Sequence, residues 1–306
     1  KEKDSETYNN LGTCLKEEIN QDILEGDYEN ASKLIGIFKR HELIGEKLPE
    51  DFLNNVIEAE NIQLLIDDLV NEKIEIRDRA FEILVKLKDK LYPHFVKAIA
   101  NTENLRKRKM LVSIINNQEE KVILEFLNYF GGKISITETI RLLEVVDSLQ
   151  KHSLVINKLS SLLSHYDFRI RREVLKVIEK LKTAESLDLL LQLTQDSNIY
   201  VKQEAIRILG DSNCEEAYSA LMSIIKPKFQ FMKEEEENIQ IEACLALGKL
   251  KNAKSIPLFK KIVFPPLWLR SKSERIRGAA IQALSNIEND EAKKILLKAK
   301  RDKNKY

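Results

Sequence analysis

The chain has 306 residues, of which 43% are hydrophobic and 32% charged, with nine Gly and six Pro. Its charges nearly cancel at +1, yet residues 1–75 hold 8 Lys+Arg against 19 Asp+Glu, a net of −11, and the remainder carries +12. Many charges with few Gly and Pro fit exposed, salt-bridged helices and argue against a sheet-rich globule, the three scattered cysteines exclude a disulfide framework, and no run of about 18 apolar residues exists to cross a membrane.

The N-terminal stretch, residues 6–70, shows helical periodicity at Ile19 and Ile23, at Leu34, Ile35 and Phe38, and at Leu64, Leu65 and Leu69. Gly26-Asp27 and Gly45–Pro49 mark breaks between its helices. It opens on Lys-Glu-Lys-Asp, without the apolar core of a signal peptide. With no initial Met, the chain reads as an excised piece of a longer protein. The spacing of Cys14, Cys214 and Cys244 suits a reducing compartment, so a cytoplasmic location is expected. Cys244 falls on an apolar helix position and is expected in the core.

From residue 76 a repeated helix takes over. Its copies are Ile76–Leu87, Ile170–Leu181, Val201–Ser212, Ile239–Leu250 and Ile276–Ile287. Each opens with a β-branched residue, four put Lys or Arg next (Arg77, Arg171, Lys202, Arg277), and each has Ala or Val at the fifth position. Between Ile76 and Ile170, Leu105–Ile115 and Ile136–Val146 fall at suitable steps but lack the small residue, and Gly131-Gly132 marks a break between helices. Another apolar-periodic segment precedes each later copy: Leu154–His165, Ser186–Thr194, Ala217–Ile225 and Ser255–Val263. The unit is therefore a helix, a polar turn and a second helix. Turn residues such as Asp167, Asp196 and Asn198 can cap the second helix. A period in the thirties means one supersecondary unit copied and stacked, burying a core that no single pair could bury.

The last two steps are stretched by two insertions, Lys226–Asn238 and Phe264–Glu274, both in the turn between the helices of a unit. Insertions in a solenoid map to one edge, often the binding edge. These carry Phe229, Phe231 and Met232, then Phe264, Leu267, Trp268 and Arg270. Clustered aromatics there read either as a partner-binding patch or as loops packed on each other in a satellite core. The run Glu234–Glu237 is expected to begin the following helix, where acidic residues favour the N-terminal dipole.

These units resemble the HEAT-repeat family, including the short HEAT-like repeats of phycobilin lyases. The resemblance rests on Asp167 with Ile170-Arg171, Asp196 with Val201-Lys202, Ile276-Arg277, and the runs Ala205–Gly210 and Ala243–Gly248. It implies an all-α solenoid of antiparallel helix pairs. It further implies that the basic residue after each opening Ile or Val pairs with turn carboxylates, an architectural role. The expected layout is an irregular acidic helical cap at 1–72 and a repeat array at 73–306, weak at about 90–150 and clear at about 154–300.

No catalytic set is visible. The four histidines, His41, His94, His152 and His165, form no metal-ligand spacing, and no nucleophile elbow or phosphate loop is present. Of the repeated His-Glu pairs that hold iron in the related deoxyhypusine hydroxylases, only His41-Glu42 has the form. No cofactor and no metal is expected. The expected function is a non-enzymatic protein-interaction scaffold, part of a larger protein, with another protein as partner on a concave face of second helices or on the loop edge. The alternative is a nucleic-acid-binding solenoid of DNA-glycosylase type, through a basic patch of Arg106, Lys107, Arg108, Lys109, Arg172, Lys176 and Arg207. Glu173, Glu204 and Glu242 would interrupt that track, and no aromatic residue is interleaved with it.

Overall fold

The computed structural model describes residues 2–43, 56–116, 120–130, 134–225, 233–266 and 274–301. Among them are seventeen α-helices, one 3-10 turn and no strand, which makes the chain an all-α solenoid of helix pairs. It divides into two compact units, Lys1–Val155 and Ile156–Tyr306.

The first unit contains α1 (Glu2–Glu25), α2 (Tyr28–Leu43), α3 (Ala59–Asp68), α4 (Ile74–Lys86), α5 (Lys88–Asn101), α6 (Leu105–Asn116), α7 (Glu120–Tyr129) and α8 (Ile136–Val146). Gly26, at φ +81°, ends α1. The Asp27 amide reaches back to the Asp22 carbonyl and the Gly26 amide to that of Ile23, the left-handed turn that glycine permits at a helix end. Helices α1 to α4 are tied by buried polar groups. Asn20 donates to the Val56 carbonyl at 3.0 Å, and its Oδ1 accepts from the Glu58 amide and from Asn61 Nδ2, each at 2.8 Å. Asn20 and Asn61 are 5% and 1% exposed, so each polar atom must find a partner inside the protein. Nearby, Lys86 donates to Ser32 Oγ and to Glu82, and Ser32 Oγ donates to Glu82.

Helix α9 (His152–Leu162) spans the division between the units. The second unit continues with α10 (Phe168–Leu181), α11 (Ala184–Leu193), α12 (Ile199–Leu209), α13 (Glu215–Ile224), α14 (Glu234–Lys249), α15 (Ile256–Val263), α16 (Glu274–Ser285) and α17 (Asp290–Arg301). The second helices α10, α12, α14 and α16 form one row, each packed on the next, and α11, α13 and α15 pack on the second helices of their own units. Caps fix where the helices start. The Asp167 side chain accepts from the Arg169 amide, and that of Asn198 from the amides of Tyr200 and Val201. The two helices accordingly begin at Phe168 and Ile199, two residues before the expected Ile170 and Val201. Helix α14 does begin at Glu234, so the first insertion is shorter than Lys226–Asn238 suggested.

The row owes its tightness to small residues. A Cβ placed on Gly210, the cap that ends α12, would lie 2.8 Å from the Cα of Ala246 in α14. One placed on Gly248 of α14 would lie 2.6 Å from the Cα of Ala283 in α16. Backbone meets backbone at both points, where no side chain fits. The pattern Ala-x-x-x-Leu-Gly is thus a contact device as much as a signature. Cys244 is buried in this core as expected, and burial pushes its thiol up to about 12.

Candidate functional site

Two of the four basic residues after the helix starts, Arg171 and Arg277, are interior fittings. Arg171 grips Asp196 with two nitrogens, each at 2.7 Å, and donates to the His165 carbonyl at 2.6 Å. Both side chains are below a tenth exposed. A planar guanidinium suits this forked geometry, and Asp196 raises the tenacity with which Arg171 keeps its proton. Arg277 is 1% exposed and donates to the Val263 carbonyl at 3.0 Å.

Helix α6 uses the same fitting, but not where counting from Leu105 puts it. Arg108, 4% exposed, donates to the Thr102 carbonyl and pairs with Glu144 of α8. Its carbonyl partner lies six residues upstream, as His165 does from Arg171. Arg108 therefore leaves the candidate basic patch: it is a buried strut. Lys107 pairs with Asp67 at 2.8 Å. Arg106 and Lys109 are exposed beside Leu105, Met110 and Ser113.

The other three patch residues lie in the second unit, on the outward face of the row. Lys176 is exposed and pairs with Glu173 at 2.7 Å. Arg207 binds Glu204 at 2.9 Å and Glu179 of α10 at 3.0 Å. Glu204 becomes the stronger acid in consequence, its carboxyl held below the ordinary value chiefly by the Arg207 hydrogen bond. Lys249 bridges from α14 to Asp211 after α12, at 3.1 Å. Arg172 is exposed. The face is thus a lattice of opposed charges rather than a basic track.

Sequence reasoning named Glu242 only as an interruption. In the structure it is half-buried on the outward face of α14, between half-buried Ile241 and Leu245, and has no salt bridge among the described residues. Burial is the main reason its carboxyl sits above the ordinary glutamate value; Lys249 and Arg207 offset this only in part. Beside it in the row, Gly278 of α16 has no atom within 4 Å of the place a Cβ would take.

Along the turn edge, Tyr166 is 82% and Tyr200 67% exposed, and the Tyr166 ring stacks on His165. Of the insertion residues, Phe264 is half-buried beneath the Lys298 ammonium, 5.0 Å from its ring centre. Phe229, Phe231, Met232, Leu267, Trp268 and Arg270 lie outside the described residues, as does Gly131-Gly132. Among the described residues no group of His, Cys, Asp or Glu is placed to hold a metal ion, and no helix is long and apolar enough to cross a membrane.

A family model for HEAT repeats matches in three overlapping frames, residues 156–229, 189–263 and 227–306. Among curated proteins the chain is similar to Afadin- and alpha-actinin-binding protein A of Xenopus laevis, 24% identical over 198 residues, covering 59% of this chain. The chain spans about a third, 35%, of that protein's length. Among solved structures, human deoxyhypusine hydroxylase in complex with glycerol gives a TM-score of 0.36 at 13% identity, over 91% of this chain and 97% of that one. An engineered protein of the Northeast Structural Genomics Consortium gives 0.34 at 14% identity, over 97% and 89%. Scores this low transfer no chemistry from either structure.

Proposed function

The chain belongs to the HEAT-repeat family through residues 156–306, and from that premise we infer that it is a non-enzymatic scaffold, a module of a larger protein that binds another protein. We place the binding surface on the row of second helices α10, α12, α14 and α16, continued by the loop edge that includes Phe264 and, in the insertions, Phe229, Phe231, Met232, Leu267, Trp268 and Arg270. A cap at 1–72 followed by a repeat array at 73–306 belongs to the same proposal, as does a cytoplasmic location.

One observation carries the choice of a protein over nucleic acid. Three cations of the row are already matched inside the chain, Lys176 by Glu173, Arg207 by Glu179 and Glu204, and Lys249 by Asp211. A surface that neutralises a phosphate backbone needs free cations to displace its counterions. Here each would first have to leave a carboxylate. The name of the Xenopus relative, a binding protein by its own description, supports the same class of function.

The test is affinity capture from source cells followed by mass spectrometry, repeated at rising salt and on heparin and DNA columns. The scaffold reading expects a protein partner whose capture weakens in Trp268→Ala and Phe231→Ala variants with unchanged helical content. Retention on DNA that falls steeply with salt, with no protein partner, would overturn it in favour of the nucleic-acid alternative. Equal loss of melting temperature and capture in the two variants would make the aromatic loops a packing cluster.

A further inference from the structure

The outward face of α14 and α16 differs in chemistry from that of α10 and α12. On α10 and α12 it is charged and largely paired internally, Lys176 with Glu173 and Arg207 with Glu179 and Glu204. On α14 and α16 its half-buried part is apolar around a single acid, with Lys249, Arg275 and Gln282 exposed on the same helices. Ile241 and Leu245 of α14 are one turn apart and half-buried, as is Ile281 of α16. The register of the two helices is fixed at both ends. Arg275 binds Glu237 at 2.9 Å and Asn238 at 2.6 Å, and Gly248 abuts Ala283. Gly278 therefore comes level with Ile241 and Glu242, and leaves an open floor beside them.

Glu242 shares this face with Ile241 and Leu245. The two cations electrostatically nearest to it, Arg207 and Lys249, are held by Glu179, Glu204 and Asp211. A half-buried carboxylate that no cation meets is costly, and the rise in its proton affinity expresses that cost. The cost disappears when an incoming cation pairs with it. The exposed Glu234, Glu235 and Glu236 at the start of α14 add to the same preference.

We propose that α14 and α16 seat an amphipathic helix of the partner protein, with apolar side chains on Ile241, Leu245 and the open floor at Gly278, and a lysine or arginine set between them against Glu242. The inference rests on the reading of the row as a protein-binding surface, and names the chemistry of the partner there. Helix-in-groove recognition works through apolar anchors three and four residues apart. A charged pair among such anchors supplies register and selectivity.

The probe is a display library of random peptides of about four helical turns, selected on the whole chain and then titrated against Glu242→Gln, Glu242→Lys and Gly278→Phe. The last fills the floor from an exposed position, and circular dichroism melts confirm that all three variants fold. The expected winners carry Lys or Arg flanked by apolar residues at helical spacing. They lose about tenfold or more in affinity to Glu242→Gln and to Gly278→Phe, as truncation of a buried charge pair does. Glu242→Lys should instead select acidic residues at the central place. Winners that bind the variants undiminished, or acidic winners on the unaltered chain, overturn the inference while leaving protein binding by the row standing. No enrichment at all removes both.

Discussion

The beginning of the first unit and the row of the second unit solve one problem by opposite means. Helices α1 to α4 are joined through buried amides and an ion-bonded serine: Asn20 with Asn61, Val56 and Glu58, and Lys86 with Ser32 and Glu82. Helices α12, α14 and α16 are joined by removing side chains, so that Gly210 meets Ala246 and Gly248 meets Ala283. A hydrogen-bonded joint fixes which atoms must face each other, and fails when one partner is lost. A glycine joint fixes how near the helices come, and fails when an atom is added. The first therefore tolerates extra volume beside it, the second tolerates polarity beside it, and substitutions tell them apart.

The largest expected effect is in the polar joint. Asn20→Ala leaves the Val56 carbonyl and the Glu58 amide without their partner, while Asn61 keeps only its bond to the Asn20 carbonyl, at about 1–3 kcal/mol for a buried polar group so stranded, and a total on the order of 3 kcal/mol in urea unfolding. Next comes Gly248→Ala, where a methyl must displace the α16 backbone, for a loss of about 1–3 kcal/mol. Adding Ala283→Gly should return part of it, and a double-mutant cycle with no coupling would disprove the close contact. Gly278→Ala has the opposite sign, a gain of about 0.5–1 kcal/mol from reduced freedom of the unfolded chain, seen as a higher melting temperature. A loss there would mean that the floor is not open.

The smallest effects are in pH dependence, and here too the two regions differ in sign. Glu82 is held at about 2, chiefly by the Lys86 hydrogen bond, against an ordinary 4.5. Its contribution is present above the unfolded value and is lost as pH falls from 4.5 toward 2. Glu242 is raised by burial, so its charge costs stability above its raised value, and the cost fades as pH falls through that value toward 4.5. Glu82→Gln should therefore destabilise at neutral pH and Glu242→Gln stabilise, both differences closing in acid. Acid titration of unfolding in the two variants measures this, and parallel curves would refute the contrast.

Much of the second unit was legible because its signature residues are local. Asp167 and Asn198 cap within two or three residues, and Ala205 and Ala243 mark the packed face. The register of α6 was not legible, since Leu105, Arg106 and Arg108 all fit a helix start and only the Thr102 carbonyl and Glu144 choose Arg108. Gly210 and Gly248 each close an Ala-x-x-x-Leu-Gly run, and what each faces is set by a helix some 35 residues on. Glu204 and Glu242 likewise occupy similar helix positions, and neighbours on other helices, Arg207 above all, decide which of them is paired. Pairing across units is the property that a periodic sequence hides, because every copy offers similar candidates.

The glycine contacts have a mechanical consequence. Where α12, α14 and α16 touch through their backbones, the spacing between them is already at its minimum, and the joint cannot be compressed or sheared without breaking contact. The α10–α12 joint is held instead by the long side chains of Glu179 and Arg207, whose torsions can take up motion. Under tension or torque the strain would collect at that joint, and α12 to α16 would move as one rigid plate. Pulling the chain between cysteines introduced on α10 and α16 would show extension beginning at α10.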